Sequence, residues 1–276
     1  MQMGTRFDGM NRIIKDLPAE DYHADPSVSK HRLDLVRRSI NHYLHPPKFD
    51  SPALEFGTWA HSIVLEPDDF AARLVEVDVK GKTTKKFKEA KAAAPPGSFV
   101  MTSQDLHQLQ QLAAAVKRHP IAEEMLAPDA PGALIEPSFF WKDTRTQIDC
   151  KCRPDYVCDR WIVDFKTCQT AAAKDFERDA AKYRYHVQAA WYSHGVSMVT
   201  GEPPKRFVFV AVEKRPPYGV AIFEYHPEAL DIALADALVD LQKVANYRAN
   251  SKTAWTGYPL TIQKLNLPRW AHDEVI

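Results

Sequence analysis

The stretch "RPDYVCDRWIVDFKTCQ", residues 153–169, decides the fold of this chain. Its apolar run, residues 161–163, leads straight into Asp164, and apolar runs of this kind usually become buried strands. Residues 158–160 predict a tight turn, so the strand expected over residues 146–157 should fold back against the run. The stretch therefore predicts a hairpin that carries an acid and a lysine into the wall of a core.

Charged side chains of the two arms are expected to meet. Side chains alternate along a strand, so Asp164 and Lys166 share one face, and a tight hairpin brings Asp155 close to Asp164. Two carboxylates at one point repel each other unless a cation lies between them, and hard divalent cations such as Mg²⁺ use oxygen ligands of this kind. A lysine beside them can stabilise a developing oxyanion. The pattern favours metal-assisted hydrolysis of a phosphodiester; a solvent-facing hairpin of salt-bridged side chains is the open alternative.

The composition is that of a globular chain whose charges balance. With 276 residues, one domain over residues 1–276 is expected. Lys plus Arg and Asp plus Glu are both 36, which excludes a globally basic binder but not a local basic groove. No apolar stretch approaches the roughly 18 residues that span a bilayer, and the N-terminus lacks the apolar region of a signal peptide. A cytoplasmic location without membrane contact is therefore predicted.

The four cysteines all lie in or beside the predicted hairpin, at Cys150, Cys152, Cys158 and Cys168. Without a secretory signal, a disulfide framework is not expected. The absence of a C-x-x-C spacing favours small buried strand residues over ligands of an iron–sulfur cluster.

Helical and strand patterns alternate along the rest of the chain. Ser29 is the expected N-cap of the first of the predicted helices, which cover residues 29–45, 51–67, 102–119, 174–201 and 227–250. Further strands are predicted over residues 133–141, 205–214 and 218–225, the last two as a hairpin around Pro216-Pro217. The remaining segments are an irregular lead-in (1–26), a basic flexible loop that can hold a short helix (78–99) and an extended C-terminal tail (251–276). This order predicts an α/β fold with a central mixed β-sheet flanked by helices.

Several motifs around the hairpin share a resemblance to one nuclease group. The acid of "RPDYV" and the triplet "DFK" resemble the PD-(D/E)XK core, and "YRYHVQAAWY" places Gln188 and Tyr192 four apart, as in the Q-x-x-x-Y element of RecB- and lambda-exonuclease-type enzymes. "GTWAHSIVLEP", residues 57–67, resembles the G-x-x-x-H-x-x-x-L-E-P segment of phage RecE-like exonucleases. The tail "WTGY…LNLPRWA" is similar to theirs. The chain thus resembles the RecE-like and lambda-exonuclease-like (exodeoxyribonuclease VIII-like) branch of the PD-(D/E)XK superfamily.

The resemblance implies a role for each matching residue. The implied metal ligands are His61, Asp155, Asp164 and the backbone carbonyl of Phe165. The implied catalytic residues are Lys166, the two acids, the upstream glutamate Glu136, and Gln188 and Tyr192, which position the scissile strand. The implied DNA-binding residues are Arg153, near the 5′-phosphate, and Ser29, Lys30, Lys82, Lys85 and Lys86. Three structural alternatives stay open: a core polar network for Gln188 and Tyr192, a plain strand-edge acid for Glu136, and a solvated loop for the lysines.

The implied activity is that of a Mg²⁺-dependent exonuclease, with Mn²⁺ as an alternative and two ions per site. By resemblance, it digests linear double-stranded DNA processively from 5′ to 3′ and leaves a 3′ single strand for a single-strand annealing protein of the RecT or beta type. The same resemblance implies that it works as a homo-oligomeric ring, a trimer or tetramer, in DNA recombination in a bacterial or phage-infected cell. Two alternatives remain: an inactive DNA-end-binding module, and another PD-(D/E)XK nuclease of restriction or Cas4-like type.

Overall fold

The computed structural model describes residues 11–47, 52–251 and 255–267. The strands are β1 (Arg12–Ile14), β2 (Leu74–Val77), β3 (Phe99–Thr102), β4 (Leu134–Ile135), β5 (Ser138–Lys142), β6 (Asp149–Cys152), β7 (Tyr156–Val157), β8 (Trp161–Cys168), β9 (Arg206–Glu213) and β10 (Val220–Glu224). The helices are α1 (Ala19–Ala24), α2 (Lys30–Arg38), α3 (Ile40–Leu44), α4 (Pro52–Leu65), α5 (Pro67–Arg73), α6 (Lys85–Ala93), α7 (Ser103–Arg118), α8 (Pro120–Met125), α9 (Ala173–Lys182), α10 (Tyr185–Thr200) and α11 (Pro227–Ala249). None of the helices in these ranges combines the length and hydropathy needed to cross a membrane.

The central sheet is mixed and has the order β10-β9-β8-β7-β4. Strands β8 and β9 run parallel along the whole of β8, whereas β10, β7 and β4 pair antiparallel with their neighbours. A second sheet has the antiparallel order β1-β5-β6, and β2 and β3 form a short parallel pair. The predicted α/β fold with a central mixed sheet flanked by helices is confirmed.

Helices cover both faces of the β8–β9 pair. One face packs Ile162 and Phe209 against Trp191 of α10 and Leu241 of α11. The opposite face packs alternating β8 residues, including Phe165, against α4 and α7. A parallel pair that is covered on both sides requires continuous apolar sequence, which explains the run before Asp164.

The predicted hairpin exists only at its tip. Strand β7 pairs antiparallel with β8, but β6 pairs with β5 in the other sheet, so residues 146–157 do not form one strand. The chain leaves the β6 ladder at residues 153–155, where Pro154 has no N–H to donate. Asp155 therefore lies at a junction between two sheets and not on a regular strand face.

A second expected strand, residues 133–141, is also divided. It forms β4 and β5, which belong to different sheets, and Glu136 lies between them with φ of 44°. The following Pro137 cannot donate to a ladder, which accounts for the break. The placement of Glu136 on a strand was therefore wrong.

Two of the predicted helices are interrupted. The helix expected over residues 174–201 breaks into α9 and α10 at Arg184, whose φ is 54°, although it ends as predicted at Gly201 in the left-handed region. The helix expected over residues 29–45 divides at Ser39, whose side chain caps α3. Ser29 caps α2 as predicted, accepting from the Arg32 N–H at 3.4 Å.

The lead-in is more ordered than predicted, and the segment 78–99 holds the short helix that its sequence allowed. The lead-in contains β1 and α1, and its residues 1–10 lie outside the described ranges. The expected loop 78–99 contains α6, which Thr84 caps, and β2 and β3 flank it. The sequence did indicate α6, because Thr84 is a favourable N-cap and precedes a helix-forming, alanine- and lysine-rich run.

The described part of the tail contacts α3 near its beginning, where the Thr256 carbonyl accepts the Asn41 N–H at 2.6 Å and the Tyr258 ring lies 5.7 Å from the His42 ring. Residues 255–267 contain no helix or strand, and Ile262 and Leu265 are 100% and 93% exposed. The rest of the predicted tail, including most of its "LPRWA" segment, lies outside the described ranges. The cysteines are free as predicted; Cys168 is half-buried and the other three are buried.

Candidate active site

Strand β8 supplies the centre of the site. Asp164 is only 1% exposed, and the ammonium of Lys166 lies against its Oδ2. Burial alone would lower the pKa of Lys166, but the carboxylates of Asp164 and Asp155 outweigh burial and raise it. The lysine is therefore a charged group held against a buried carboxylate.

The structure brings the second acid to this pair. Asp155 Oδ2 accepts the backbone N–H of Phe165 at 2.7 Å, which fixes the carboxylate beside the middle of β8. Burial and then Asp164 raise the pKa of Asp155 well above its ordinary value, against the opposing effect of Lys166. The mutual repulsion of Asp155 and Asp164 is the electrostatic feature that favours a cation at this point.

His61 enters the site from α4. Its Nδ1 lies 3.5 Å from Asp155 Oδ2, and its ring meets the Phe165 ring edge-on at 5.3 Å. Burial and then Lys166 lower the pKa of His61 to about 4, although Asp164 and a hydrogen bond with the Phe165 backbone raise it. The imidazole is therefore neutral at neutral pH, the form in which histidine can act as a ligand.

Helix α10 brings the predicted glutamine into contact with the acids. Gln188 Nε2 donates to Asp164 Oδ1 at 2.6 Å, and both groups are buried. Tyr192 lies one turn further on, and burial raises the pKa of its hydroxyl well above the ordinary value. Gln188 is thus bonded to the acid itself, while the Tyr192 ring meets the Phe207 ring edge-on at 6.1 Å.

Glu136 lies close to the acids although it is not on a strand. Its backbone N–H donates to the carbonyl of Asp155 at 2.9 Å. Burial raises the pKa of Glu136, and the guanidinium groups of Arg153 and Arg73 oppose that rise. Sequence reasoning missed its neighbour Glu66, whose pKa is raised by burial and by Glu136; the L-E-P segment contained it.

Arg153 is held by the protein. Its Nε donates to Ser138 Oγ at 2.8 Å, its Nη2 donates to the carbonyl of Leu17 at 2.7 Å, and its guanidinium lies 4.3 Å from the centre of the Tyr22 ring. The structure therefore places it between the second sheet and the lead-in, one residue before the junction of Pro154 and Asp155.

A cleft of about 730 Å³ adjoins Gln188 and Tyr192. Ser29 and Lys30 line it, but Ser29 caps a helix and the Lys30 ammonium contacts Asp34 at 2.8 Å. The cleft is mainly basic and aromatic, with the lining cations Lys30, Arg32, Lys151 and Arg248 and the tyrosines Tyr22, Tyr43, Tyr192 and Tyr247. Sequence reasoning missed most of these because they come from four distant segments.

The contacts of the three loop lysines do not involve Asp155 or Asp164. Lys82 contacts Glu55 at 3.3 Å and Asp105 at 3.4 Å, and its ammonium lies 4.4 Å from the centre of a Trp59 ring. Lys85 pairs with Glu89 at 3.7 Å and Lys86 donates to the Asp78 carbonyl at 3.4 Å. They lie on α6 and in the turn before it. The side chain of Lys85 is 87% exposed, against 37% for Lys82.

The donor groups suit a hard divalent cation, although they are not drawn into a cage. Within the described ranges, no three His, Cys, Asp or Glu side chains lie close enough to hold a metal ion together. Asp164 Oδ2 is nevertheless buried without a hydrogen-bond donor of good geometry, and Asp155 repels it. Carboxylate oxygens and one neutral imidazole are chemically appropriate ligands for Mg²⁺ or Mn²⁺.

One family model matches most of this chain. Residues 37–255 match the family described as "PDDEXK-like domain of unknown function (DUF3799)". This segment includes the candidate site residues Glu136, Asp155, Asp164, His61, Lys166 and Gln188. A comparison with curated proteins gives no match.

A solved structure is similar to this chain over nearly its whole length. A "putative exonuclease" from Eubacterium rectale is 14% identical, with a TM-score of 0.59, over 95% of this chain and 99% of that chain. Two others, the protein SSO0001 and the protein VC1899 from Vibrio cholerae, are each 12% identical, with TM-scores of 0.30 and 0.23. They cover 76% and 72% of this chain and 84% and 58% of their own chains. At these identities the first similarity shows the fold, and the other two carry no argument.

Proposed function

The chain belongs to this PDDEXK-like family, and from that premise we propose that it is a metal-dependent nuclease that hydrolyses phosphodiester bonds of linear double-stranded DNA. One observation carries the proposal. Two buried carboxylates, Asp155 and Asp164, converge beside a charged Lys166 and a hydrogen-bonding Gln188. Structural ion pairs are common, but burial and then the neighbouring Asp164 raise the pKa of Asp155 well above its ordinary value, and acids perturbed in this way cluster at functional sites.

The metal would be held by His61, Asp155, Asp164 and the carbonyl of Phe165. When bound, Mg²⁺ or Mn²⁺, two ions per site by family resemblance, supplies Lewis-acid stabilisation of charge on the phosphate. The chain itself prepares for this, since the Phe165 N–H and Gln188 Nε2 each fix one carboxylate by a hydrogen bond. Ligands held by such partners keep their orientation.

Lys166 has the position of an electrostatic catalyst. Its ammonium lies between the Asp164 carboxylate and the Tyr185 ring, whose centre is 4.9 Å away. Negative charge grows on the phosphate oxygens during hydrolysis, and a preorganised cation stabilises it without a reorganisation cost. The ring of Tyr185, which sequence reasoning missed, restricts where that cation can lie.

The cleft beside Gln188 and Tyr192 supports action on a strand end. Arg32 and Arg248 line it with guanidinium groups, which suit phosphates, whereas Lys30 and Lys151 are held by protein contacts. The rigid contacts of Arg153 suit a fixed charge near the terminal phosphate. Lys82, Lys85 and Lys86 on and beside α6 offer a separate surface for the duplex backbone.

The finer specificity of the proposal rests on the resemblance. By that resemblance the enzyme digests from 5′ to 3′, processively, and leaves a 3′ single strand for an annealing protein of the RecT or beta type. A ring of three or four subunits in a bacterial or phage-infected cell completes the proposal.

Digestion of matched DNA substrates tests it. Linear duplex labelled at either 5′ or 3′ ends and closed-circular duplex are incubated with Mg²⁺, with Ca²⁺ or with EDTA, and Asp164→Asn serves as the control. Loss of linear DNA alone, with early release of the 5′ label and only with Mg²⁺, supports the proposal. Cutting of the circle would indicate a restriction-type enzyme, and binding without cleavage of either substrate would indicate an inactive end-binding module.

A further inference from the structure

The break between α9 and α10 is held by one arginine whose contacts reach two other helices. Arg184 adopts φ of 54° and ψ of 48°, the left-handed region that side chains other than glycine disfavour. A strained backbone conformation persists only where surrounding contacts enforce it, and such positions cluster at functional sites. The contacts that enforce this one are therefore informative.

The guanidinium of Arg184 bridges two acids on different helices. Its Nη1 donates to Asp34 Oδ1 of α2 at 2.9 Å, and its Nη2 donates to Asp240 Oδ2 of α11 at 3.4 Å. Asp240 is completely buried, and the Lys243 ammonium contacts its other oxygen at 2.8 Å. A buried carboxylate must be paired, so Asp240 is a fixed anchor for the guanidinium.

Lys30 holds the same turn from its other side. Its ammonium donates to the Tyr183 carbonyl at 2.7 Å and contacts Asp34 Oδ2 at 2.8 Å. The backbone on one side of Arg184 and its side chain on the other are thus both tied to α2. This explains why Lys30, although it lines the cleft, is already committed to protein contacts.

The contacts of Arg184 and Lys30 with Asp34 and Asp240 fix the point where α10 begins. The Arg184 carbonyl accepts the backbone N–H groups of Val187 at 3.1 Å and Gln188 at 3.2 Å, so it is the first acceptor of the helix. A shift of one residue would rotate every α10 side chain by about 100°, because an α-helix has about 3.6 residues per turn. The Gln188 amide would then point away from Asp164.

We propose that Arg184 is a positioning residue that fixes the start of α10 and thereby holds the Gln188 amide on Asp164. The proposal rests on the proposed nuclease function only for its effect on activity. Its structural part concerns the hydrogen bond between Gln188 and Asp164, which can be measured in the metal-free protein.

Two substitutions separate the backbone from the side chain. Arg184→Gly removes the guanidinium but accepts the left-handed conformation easily, whereas Arg184→Ala removes the guanidinium and disfavours that conformation. Arg184→Lys keeps a charge for Asp240 but cannot reach both acids with one fork. Arg178→Gly is the matched control on α9, because Arg178 pairs with Asp175 at the surface with 74% of its side chain exposed.

The side-chain amide of Gln188 is the first measurement. Its resonance is recorded in metal-free protein with isotope-labelled glutamine and assigned by its loss in Gln188→Ala. We expect a shift toward the position of a free glutamine amide in Arg184→Gly and a larger shift in Arg184→Ala. The control Arg178→Gly should leave the resonance unchanged. An unchanged resonance in both Arg184→Gly and Arg184→Ala overturns the proposal.

The second measurement is the division of the effect between kcat and KM. We expect kcat for linear DNA to fall on the order of tenfold or more, because small misplacements of a site are costly, with KM little changed. A rise in KM with an unchanged kcat would assign Arg184 to DNA contact and overturn the positioning role. If Arg184→Gly and Arg184→Ala fail to fold, Arg184→Lys decides by the same two measurements. If the wild-type protein lacks nuclease activity, the amide resonance still tests the structural proposal by itself.

Discussion

Three groups surround the Asp164 carboxylate and determine its chemistry. Lys166 lies against one oxygen, Gln188 donates to the other at 2.6 Å, and Asp155 repels both from its place beside Phe165. The pKa of Asp155 stays well above its ordinary value, because burial first and then Asp164 raise it by more than Lys166 lowers it. Acids whose pKa is perturbed by burial and by a like charge cluster at functional sites, which is why we propose these residues as the active site.

Asp164→Asn tests the carboxylate directly. The substitution keeps the shape of the side chain and its contact with Gln188 but removes a ligand charge, so we expect cleavage of linear DNA in Mg²⁺ to be abolished. The circular dichroism spectrum should match that of the wild-type protein, since repulsion of Asp155 is relieved at the same time. Full cleavage by the variant, or full cleavage by the wild-type protein in EDTA, would contradict the assignment.

Lys166→Ala separates catalysis from binding. The lysine is expected to act on charge that develops in the transition state, so the rate of the bound complex should fall on the order of 10²-fold or more. Affinity for DNA, measured in Ca²⁺, should change little. A loss of affinity with a normal rate in the bound complex would place Lys166 on the phosphate-gripping surface instead.

Lys85→Ala is the matched substitution on α6. Because Lys85 is 87% exposed, we expect it to weaken DNA binding across all sequences and to lower the salt dependence of binding by about one ion, without changing the rate of the bound complex. The slope of log affinity against log salt, measured beside wild type, is the readout. An unchanged slope would leave α6 as a solvated surface helix.

At the scale of elements, the strand at the centre of the site was predictable and the breaks around it were only partly so. The apolar run before Asp164 indicated β8, and Pro154 and Pro137 each marked a point where a ladder must end. No glycine or proline marks the break at Arg184, whose partners Asp34 and Asp240 are 150 and 56 residues away. Tertiary contacts of that range override local helix propensity, and a single sequence does not reveal them.

The candidate site also contains residues that the sequence indicated and residues that it did not. The resemblance identified residues that the structure does bring together, namely Asp155, Asp164, Lys166, His61 and Gln188. The lining of the cleft was missed, since tyrosines and arginines from the lead-in, α2, α3 and α11 meet only after folding. Residues within the quoted family motifs were therefore predictable, and residues that meet only through packing were not.

The packing of α10 on the second sheet gives a prediction at this scale. A Cβ on Gly195 would lie 2.5 Å from the Trp141 ring and 2.9 Å from Cys152 Sγ, so this glycine permits the helix to approach the sheet. We expect Gly195→Ala to lower the free energy of unfolding by about 1–3 kcal/mol, the usual cost of overpacking a core, despite the better helix propensity of alanine. Urea denaturation of the metal-free protein measures it.

Gly57→Ala in α4 is the control for that measurement. A Cβ on Gly57 would meet nothing within 4 Å, so only helix propensity acts, and we expect the free energy of unfolding to rise by about 0.5–1 kcal/mol. Equal effects at Gly57 and Gly195 would show that contact with Trp141 does not limit the position of α10.

At the scale of the whole molecule, the balance of charge bears on how DNA is retained. The chain carries 36 basic and 36 acidic residues, so it has no general excess of positive charge with which to hold a duplex between steps. The basic groups are local, in the cleft beside Gln188 and on α6. Contacts of this kind are weak one by one and weaken further with salt.

Assembly into a closed ring is the arrangement that we propose to solve this problem. A ring retains the duplex topologically and adds the local basic surfaces of several subunits around one substrate, which raises their effective concentration. Closed cyclic symmetry is also the usual way in which heterologous interfaces end. The apolar side chains of the tail, with Ile262 fully exposed in the single chain, are compatible with cover by a neighbouring subunit. We therefore expect light scattering at micromolar concentration to give three or four times 31.3 kDa.

The same assembly should determine how digestion responds to competitor DNA. A ring that has started on a labelled duplex should continue to its end after excess unlabelled DNA is added, whereas a monomer should be captured by the competitor after a few steps. Initiation should fall steeply with salt because it depends on phosphate contacts, but the length digested per binding event should fall less, because topology and not charge retains the substrate. A 31.3 kDa species that resists competitor equally well would contradict the ring. If salt lowers the length digested per binding event as steeply as it lowers the rate of initiation, charge alone retains the DNA.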